Sequence, residues 1–244
     1  MLTSAAFVIV SGAFAGGFVS GLAGFGTGLT ALGLWLTVLT PAPASTLVLI
    51  CSIASQLQTI STVWHAINIR RVGPMLVTGL LGVPAGVSAL AYCDPHAFRL
   101  GMGVLLLVYS VFMQLGRFQP RMAWGGWVAD AAVGLAGGVL GGLAGLSGAL
   151  PTVWATLRGW TKDERRGVFQ AYNLTVLSGA FVWHEASGLL TAEVVRLSVL
   201  ALPGTVIGAW IGAWLYRRLN DQRFNTLVLA LLGVSGLTLI WEGL

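Results

Sequence analysis

The chain has 244 residues, of which 56% are hydrophobic and only 9% charged, against about 25% charged in ordinary globular proteins. A soluble domain of this size cannot cover its surface with 13 basic and 8 acidic side chains. The composition therefore excludes a soluble enzyme, a disordered chain and, despite a net charge of +5, a nucleic-acid-binding protein. It predicts an all-α polytopic membrane protein.

Ten apolar segments account for nearly the whole chain, because a spanning helix needs about 20 apolar residues. The second and seventh segments are too short to cross a bilayer without tilting. The connections between segments are brief and carry most of the charge. The predicted segments are 5–23, 27–39, 44–66, 73–92, 98–116, 127–145, 148–158, 167–187, 194–215 and 223–242.

The two halves of the chain resemble each other. The glycine-rich stretch 16–26 matches 137–147 at an offset of 121. At an offset of 119, Val63-Trp64-His65 matches Val182-Trp183-His184, and Pro84 matches Pro203. These matches predict a duplicated unit within one integral membrane domain, with repeats of five segments at 1–118 and 119–244.

The charged loops predict how the repeats are oriented. If each half crosses the membrane an odd number of times, eleven of the 13 basic residues fall on one side, and only Arg99 and Arg196 on the other. Because basic residues concentrate on the cytoplasmic side, this distribution favours two inverted repeats. Both termini are then expected outside the cytoplasm.

Glycines crowd the points where a long segment gives way to a short one. A short helix that begins inside the membrane directs unpaired N–H groups and its positive dipole end towards the midplane. Inverted-repeat transporters place substrate between such interrupted helices. We therefore predict an anion site at Gly26, Thr27 and Gly28 in the first half and at Ser147 and Gly148 in the second. The alternative is that these glycines only allow close helix packing.

Polar side chains lie inside the third segment of each half. Buried amides in lipid must find partners. They either join helices by hydrogen bonds or line a polar cavity opposite the helix breaks. For the cavity we expect Gln56, Thr59, Gln170 and Asn173, whose neutral groups suit a ligand that must bind and then leave.

His65 and His184 each follow a tryptophan. Histidine changes charge near neutral pH, which suits proton coupling. A Trp-His pair near a helix end is also typical of an interfacial anchor, and this interpretation is favoured. Asp130 is expected to cap the sixth helix. No residue pattern predicts a metal site or a cofactor.

Gly145-Leu146-Ser147-Gly148 resembles the nucleophile motif of rhomboid intramembrane proteases, with His184 as the base. Ser147 aligns with Gly26, however, so this motif is one half of a duplicated glycine break. The residue context of a rhomboid histidine is also missing around His184. We therefore expect no enzyme, and the intramembrane serine protease is kept as the less favoured alternative.

The pattern as a whole resembles the TauE/SafE sulfite exporters, also called the toluene sulfonate uptake permease family. The resemblance rests on the glycine-rich break that opens each half, on the polar third segment, and on a Gly/Pro fourth segment at 79–86 and 202–212. The family pattern usually has more glycine and a following proline. Thr27 stands where glycine is usual, and only the second half has the proline, Pro151. A side chain at Thr27 is placed to contact substrate or to shift specificity.

The resemblance implies a secondary-active transporter, with export favoured, for sulfite, sulfonates or related organosulfur anions. Transport would use alternating access at the repeat interface, and an anion channel is the alternative. The resemblance also implies a multi-pass protein of the bacterial inner membrane. The expected partners are a small anion and the lipid bilayer, with a homodimer as an open alternative to the monomer, and no nucleic acid.

Overall fold

The computed structural model describes residues 2–60, 69–115, 125–160 and 162–216, together with 233, 237, 240 and 241. Over these ranges the chain forms nine α-helices and no strand. The helices are α1 (Leu2–Ala23), α2 (Thr27–Trp35), α3 (Pro41–Thr59), α4 (Ile69–Ala91), α5 (Pro95–Leu115), α6 (Gly126–Ala144), α7 (Ala149–Leu157), α8 (Lys162–Ala186) and α9 (Ala192–Tyr216).

The helices match the first nine predicted segments. Five of those described, α1, α4, α5, α6 and α9, are long and apolar enough to cross a membrane. Large apolar side chains such as Phe7, Val108 and Val199 are exposed on the outside of the molecule, where lipid would cover them. The prediction of an all-α multi-pass membrane protein is confirmed. The tenth predicted segment, 223–242, lies almost wholly outside the described residues.

Each half opens with a helical hairpin. In the first half, α2 turns back along α1, so that Gly16 faces Thr27 while Gly12 faces Trp35. The indole Nε1 of Trp35 donates a hydrogen bond to the carbonyl oxygen of Ile9 at 3.0 Å. This bond fastens the far end of the short helix to the first half of the long one, so the two helices are joined at both ends of the hairpin.

The second hairpin, α6 and α7, repeats the arrangement. Gly137 faces Ser147, and Trp154 Nε1 donates to the Asp130 carboxylate at 2.6 Å. Asp130 is buried and lies one turn inside α6, whose N-cap is Gly125 without a side-chain cap bond. The prediction that Asp130 caps this helix is therefore wrong. Its carboxylate instead secures the tryptophan of the short helix, as the Ile9 carbonyl does in the first half.

The first helix of each half packs against the fourth helix of the other half. Gly208 of α9 lies against the α1 backbone at Phe14, and Gly82 of α4 lies against the α6 backbone at Leu135. These equivalent contacts relate α1 to α6 at an offset of 121 and α4 to α9 at an offset of 126. The match of Pro84 to Pro203 at 119 is therefore wrong in register, by seven residues or about two helical turns.

Helices α3 and α8 pack against each other in opposite directions. Near the start of α3, Thr46 contacts His184 close to the end of α8. Near the end of α3, Thr59 contacts Gln170 in the first half of α8. These two helices form the inner layer, which α1, α4, α6 and α9 flank.

The glycine contacts predict a large stability effect at one position. A methyl group at Gly138 would overlap the Gly79 carbonyl of α4, so one backbone must move. Gly138→Ala is expected to lower the free energy of unfolding by about 1–3 kcal/mol, the usual cost of overpacking. Thermal unfolding in detergent measures it. Gly101→Ala is the control, because a methyl group there meets nothing within 4 Å. Equal melting temperatures for the two variants would contradict the proposed packing.

Candidate anion-binding site

The tips of the two hairpins meet in the interior of the molecule and enclose a small cavity between α3 and α8. The free space suits a water-sized molecule and amounts to about 10 Å³, close to what a single water needs. Its lining residues are Phe25, Gly26, Thr27, Gly28, Leu29, Ser52, Gln56, Gly145, Leu146, Ser147, Gly148, Ala149, Asn173 and Leu177.

Glycine is required where the two helices break. Gly24 and Gly26 have φ angles of 77° and 108°, and Gly145 has a φ angle of 68°. These left-handed conformations are costly for residues that carry a Cβ atom. Gly24 and Gly145 are equivalent at an offset of 121, so both hairpins turn at the same point. The glycine crowding in the sequence therefore has a backbone cause at these positions.

Twelve of the 14 lining residues form six equivalent pairs between the two halves, so both halves build the cavity. Every pair has an offset of 121, which also sets the register of α3 against α8. The pairs are Phe25 with Leu146, Gly26 with Ser147, Thr27 with Gly148, Gly28 with Ala149, Ser52 with Asn173, and Gln56 with Leu177. The two halves thus contribute the same positions but different side chains.

The first turn of α2 supplies hydrogen-bond donors to the cavity. Gly26 occupies the N-cap position and has no side chain with which to cap the helix. The first intrahelical bond recorded here runs from Thr30 N to Gly26 O at 3.1 Å. The N–H groups of Thr27, Gly28 and Leu29 precede it and have no intrahelical acceptor. In α7 the first such bond runs from Thr152 N to Gly148 O at 3.1 Å; before it, Ala149 N donates to Leu146 O at 3.2 Å and Pro151 has no N–H group.

Each third helix sends an amide side chain to one break. Gln56 of α3 donates from Nε2 to the Gly24 carbonyl at 2.8 Å. Asn173 of α8 accepts the Ser147 hydroxyl on Oδ1 at 2.8 Å, and its amide lies directly over Gly148. These bonds leave the Nδ2 group of Asn173 as a donor at the cavity. The polar stripe on α3 and α8 therefore supports the two helix breaks.

Seven of the nine substrate-binding residues expected from the sequence line the cavity, and two do not. Thr59 and Gln170 hydrogen-bond to each other at the contact between α3 and α8, about one turn from Gln56. Sequence reasoning missed Ser52 and the apolar lining residues Phe25, Leu146 and Leu177. Ser52 lies on the polar face of α3, and an offset of 121 applied to Gln56 would have pointed to Leu177.

His184 is completely buried, so the interpretation of this residue as an interfacial anchor is wrong. Its Nδ1 lies 2.9 Å from the Thr46 hydroxyl, and its Nε2 lies 2.8 Å from the Gly142 carbonyl. Ser147 bonds to Asn173 instead. The serine and histidine of the protease alternative are therefore not brought together. His65 lies outside the described residues.

No charged side chain belongs to the set that lines the cavity. The site offers helix N-termini, an amide donor and hydroxyl groups, in low-dielectric surroundings that strengthen each interaction. Such a site suits a small anion, since the positive end of a helix dipole attracts negative charge without a buried cation.

The family model for sulfite exporter TauE/SafE matches residues 8–239, and so takes in both hairpins and the cavity. The chain belongs to the sulfite exporter TauE/SafE family. Comparisons with curated proteins and with solved structures found no match. The resemblance seen in the sequence is thus confirmed. Membership in TauE/SafE, together with the apolar helices, supports a membrane transporter.

The cavity predicts different roles for two buried amides on α8. Asn173→Leu is expected to weaken sulfite binding several-fold, because it removes a hydrogen-bonding group worth on the order of 0.5–1.5 kcal/mol. Gln170→Leu, one turn away and outside the cavity, is the matched control. It is expected to lower the melting temperature while leaving affinity within twofold. Isothermal titration of the purified variants measures both. A larger loss of affinity in Gln170→Leu than in Asn173→Leu would place the site elsewhere.

Proposed function

We propose that this TauE/SafE protein is a secondary-active transporter, and not an enzyme, for sulfite, sulfonates and related organosulfur anions, with export as the net direction. The observation that carries the proposal is the cavity between two broken hairpins. Equivalent residues of both halves line it, and none of them is charged. Substrate would sit between halves that can rock about it, as alternating access requires.

Hydrogen bonds and dipoles would hold the anion without trapping it. Two converging helix N-termini offer about half a positive charge each, or roughly one unit together. Neutral donors such as Asn173 add on the order of 0.5–1.5 kcal/mol each. A transported ligand must also leave, and a site without a formal cation avoids binding it too tightly. The neutral lining therefore matches the demands of transport.

The inverted relation of the halves belongs to the proposal. It is supported by α3 and α8, which are equivalent at an offset of 121 and run in opposite directions. It is also supported by the reciprocal packing of α1 with α9 and of α4 with α6. With the basic loops in the cytoplasm, both termini lie outside it, and the membrane is the bacterial inner membrane.

The orientation is open to a direct check. A periplasm-active reporter fused after residue 244 should be active, and the same reporter inserted after Gly159, in the connection between α7 and α8, should be inactive. Because eleven of the 13 basic residues lie on the cytoplasmic side in this orientation, a strong contrast is expected. The opposite pattern would overturn the orientation, and equal activity at both sites would contradict an odd number of crossings per half.

The small size of the cavity favours a carrier over an anion channel. Its free space is about that of one water, so a four-atom anion such as sulfite enters only when the walls separate. Phe25 meets Phe169 edge-on, with ring centroids 5.8 Å apart, and it packs against both apolar clusters of the described core. Its equivalent Leu146 belongs to the cluster that includes Val48.

The last part of the proposal is that His184 carries a coupling proton. The Thr46 hydroxyl lies within 2.9 Å of both the Ala42 carbonyl and His184 Nδ1. A neutral ring can donate from Nε2 to Gly142 and accept the Thr46 hydroxyl on Nδ1. A protonated ring donates from both nitrogens, and the hydroxyl then turns to Ala42. The same partners thus accommodate both protonation states.

Transport is tested with protein reconstituted in liposomes. Wild type is expected to show saturable sulfite counterflow, and Ser147→Trp should abolish it, because the indole fills a cavity sized for one water. Val199→Trp is the control, since Val199 is 69% exposed on the outer face of α9 and should keep wild-type counterflow. Currents that never saturate would support the channel instead. Equal counterflow in the two variants would contradict the site.

The same liposomes test the coupling. His184→Gln keeps hydrogen-bonding groups but cannot change charge near neutral pH. It is therefore expected to retain sulfite counterflow and to lose uptake driven by a pH gradient. If gradient-driven uptake persists in this variant, His184 does not carry the coupling proton.

A further inference from the structure

One buried hydrogen-bond acceptor without a partner belongs to a residue that lines the cavity. Gln56 lines the cavity and is 1% exposed, and its Oε1 has no hydrogen-bond partner. Its Nε2 donates to the Gly24 carbonyl at 2.8 Å. Because a carbonyl oxygen can only accept, the atom facing Gly24 must be the amide nitrogen. The oxygen is therefore the atom left without a partner.

An unpaired acceptor penalises a ligand that has only acceptor atoms. The first turn of α2 and the Asn173 amide can satisfy the oxygens of a bound anion. Beside such a ligand, Gln56 Oε1 would stay buried without a hydrogen bond, which costs free energy. A ligand that carries an O–H group removes this cost by donating to Oε1.

Because the two halves differ at this position, the ligand needs only one hydrogen-bond donor. The position equivalent to Gln56 is Leu177, which has no acceptor in its side chain. Among the described side chains that line the cavity, the unpaired acceptor is therefore present once, on the α3 side. The two helix N-termini together supply roughly one unit of positive charge, which suits a singly charged ligand.

We propose that this site selects monovalent anions that carry one hydrogen-bond donor, so that the bound sulfur species is hydrogen sulfite. This inference rests on the proposed function and narrows its substrate class. The donor has two sources, the acidic proton of hydrogen sulfite or a hydroxyl group on an organic sulfonate. Both present an S–O⁻ group to the helix ends and an O–H to Gln56, whereas an unsubstituted alkanesulfonate and the sulfite dianion lack the O–H.

The pH dependence of binding should come from the ligand. The lining residues include no titratable side chain. The titratable and charged side chains of the described helices around the cavity are not among its lining residues. On α3, α6 and α8, the buried ones are Cys51, Asp130, Tyr172 and His184. Sulfite exchanges its second proton near neutral pH, while methanesulfonate stays a monoanion, so methanesulfonate reports any change in the protein itself.

The experiment compares three probes on purified full-length protein. These are sodium sulfite under anaerobic conditions, methanesulfonate, in which a methyl group occupies the place of the sulfur lone pair and no O–H group remains, and 2-hydroxyethanesulfonate. Hydrogen sulfite should bind about tenfold or more tightly than methanesulfonate, as expected for an unpaired buried group. Raising the pH through the second pKa of sulfite should weaken its binding in proportion to the hydrogen sulfite fraction, while methanesulfonate binding stays constant. Tighter binding of 2-hydroxyethanesulfonate than of methanesulfonate would show that an organic hydroxyl also serves.

Replacing Gln56 tests whether its amide oxygen causes the preference for hydrogen sulfite. Gln56→Met keeps the length of the side chain but has no amide, so the preference for hydrogen sulfite over methanesulfonate should fall several-fold, towards equal affinity. Leu57→Met on the lipid-facing side of α3 is the control and should keep the wild-type preference.

Three outcomes overturn the inference. The first is equal wild-type affinity for hydrogen sulfite and methanesulfonate, and the second is an unchanged preference in a folded Gln56→Met variant. In both cases the anion site and the proposed function stand. The third is no binding of any of the three anions, which contradicts the proposed function as well. If Gln56→Met does not fold, the affinities of the wild type for the three probes, and their dependence on pH, test the inference without it.

Discussion

A backbone N–H group without a partner costs several kcal/mol in the hydrocarbon of a bilayer, and this chain interrupts a helix there twice. The breaks persist because protein surrounds them. Gln56 holds the Gly24 carbonyl at one break, and Asn173 holds the Ser147 hydroxyl at the other. Close glycine contacts of α1 with α9 and of α4 with α6 keep lipid away from both. The abundance of glycine and the amides of the third helices thus serve the same need, and the donors left at the tips belong to the proposed anion site.

Duplication explains where the cavity lies, and the differences between the repeats determine which groups line it. Two identical inverted halves would give an inward-facing and an outward-facing state of equal energy. Here Gln56 in the first half corresponds to Leu177 in the second, and Gly26 corresponds to Ser147. In the proposed transport cycle the two states would therefore differ in energy, and the ligand would meet an unpaired acceptor on one side only. The first break is partly exposed at Phe25 and Gly26, whereas residues 145–148 are all buried, so this structure is more open at the first break.

The sequence predicted the helix breaks well, because left-handed glycines and short segments are local features. It predicted the face of each third helix but not which residues on it reach the cavity. Helical spacing defines a stripe, and the angle at which α3 and α8 cross decides where that stripe leaves the site, so Thr59 and Gln170 pair with each other instead. Leu146 and Leu177 are apolar, so their side chains do not mark them as lining residues. They are found only by applying the offset of 121 to Phe25 and Gln56. Five extra residues separate the first and fourth helices of the second half, so α4 and α9 are equivalent at an offset of 126. The match of Pro84 to Pro203 therefore gave a wrong offset. Asp130 looked like a cap, but the backbone of Gly125 and Gly126 starts α6 a turn earlier.

The central claim is that neutral groups at two helix ends, and no basic side chain, hold the anion. Selenite is a heavier analogue of sulfite whose selenium scatters anomalously, so a crystal of the complex locates the anion directly. The account predicts one anomalous peak within hydrogen-bond distance of the first turn of α2 and of Asn173, with the walls of the cavity moved apart. A peak at a basic side chain such as Arg158 or Arg196, with the cavity between the hairpin tips unchanged, would contradict it.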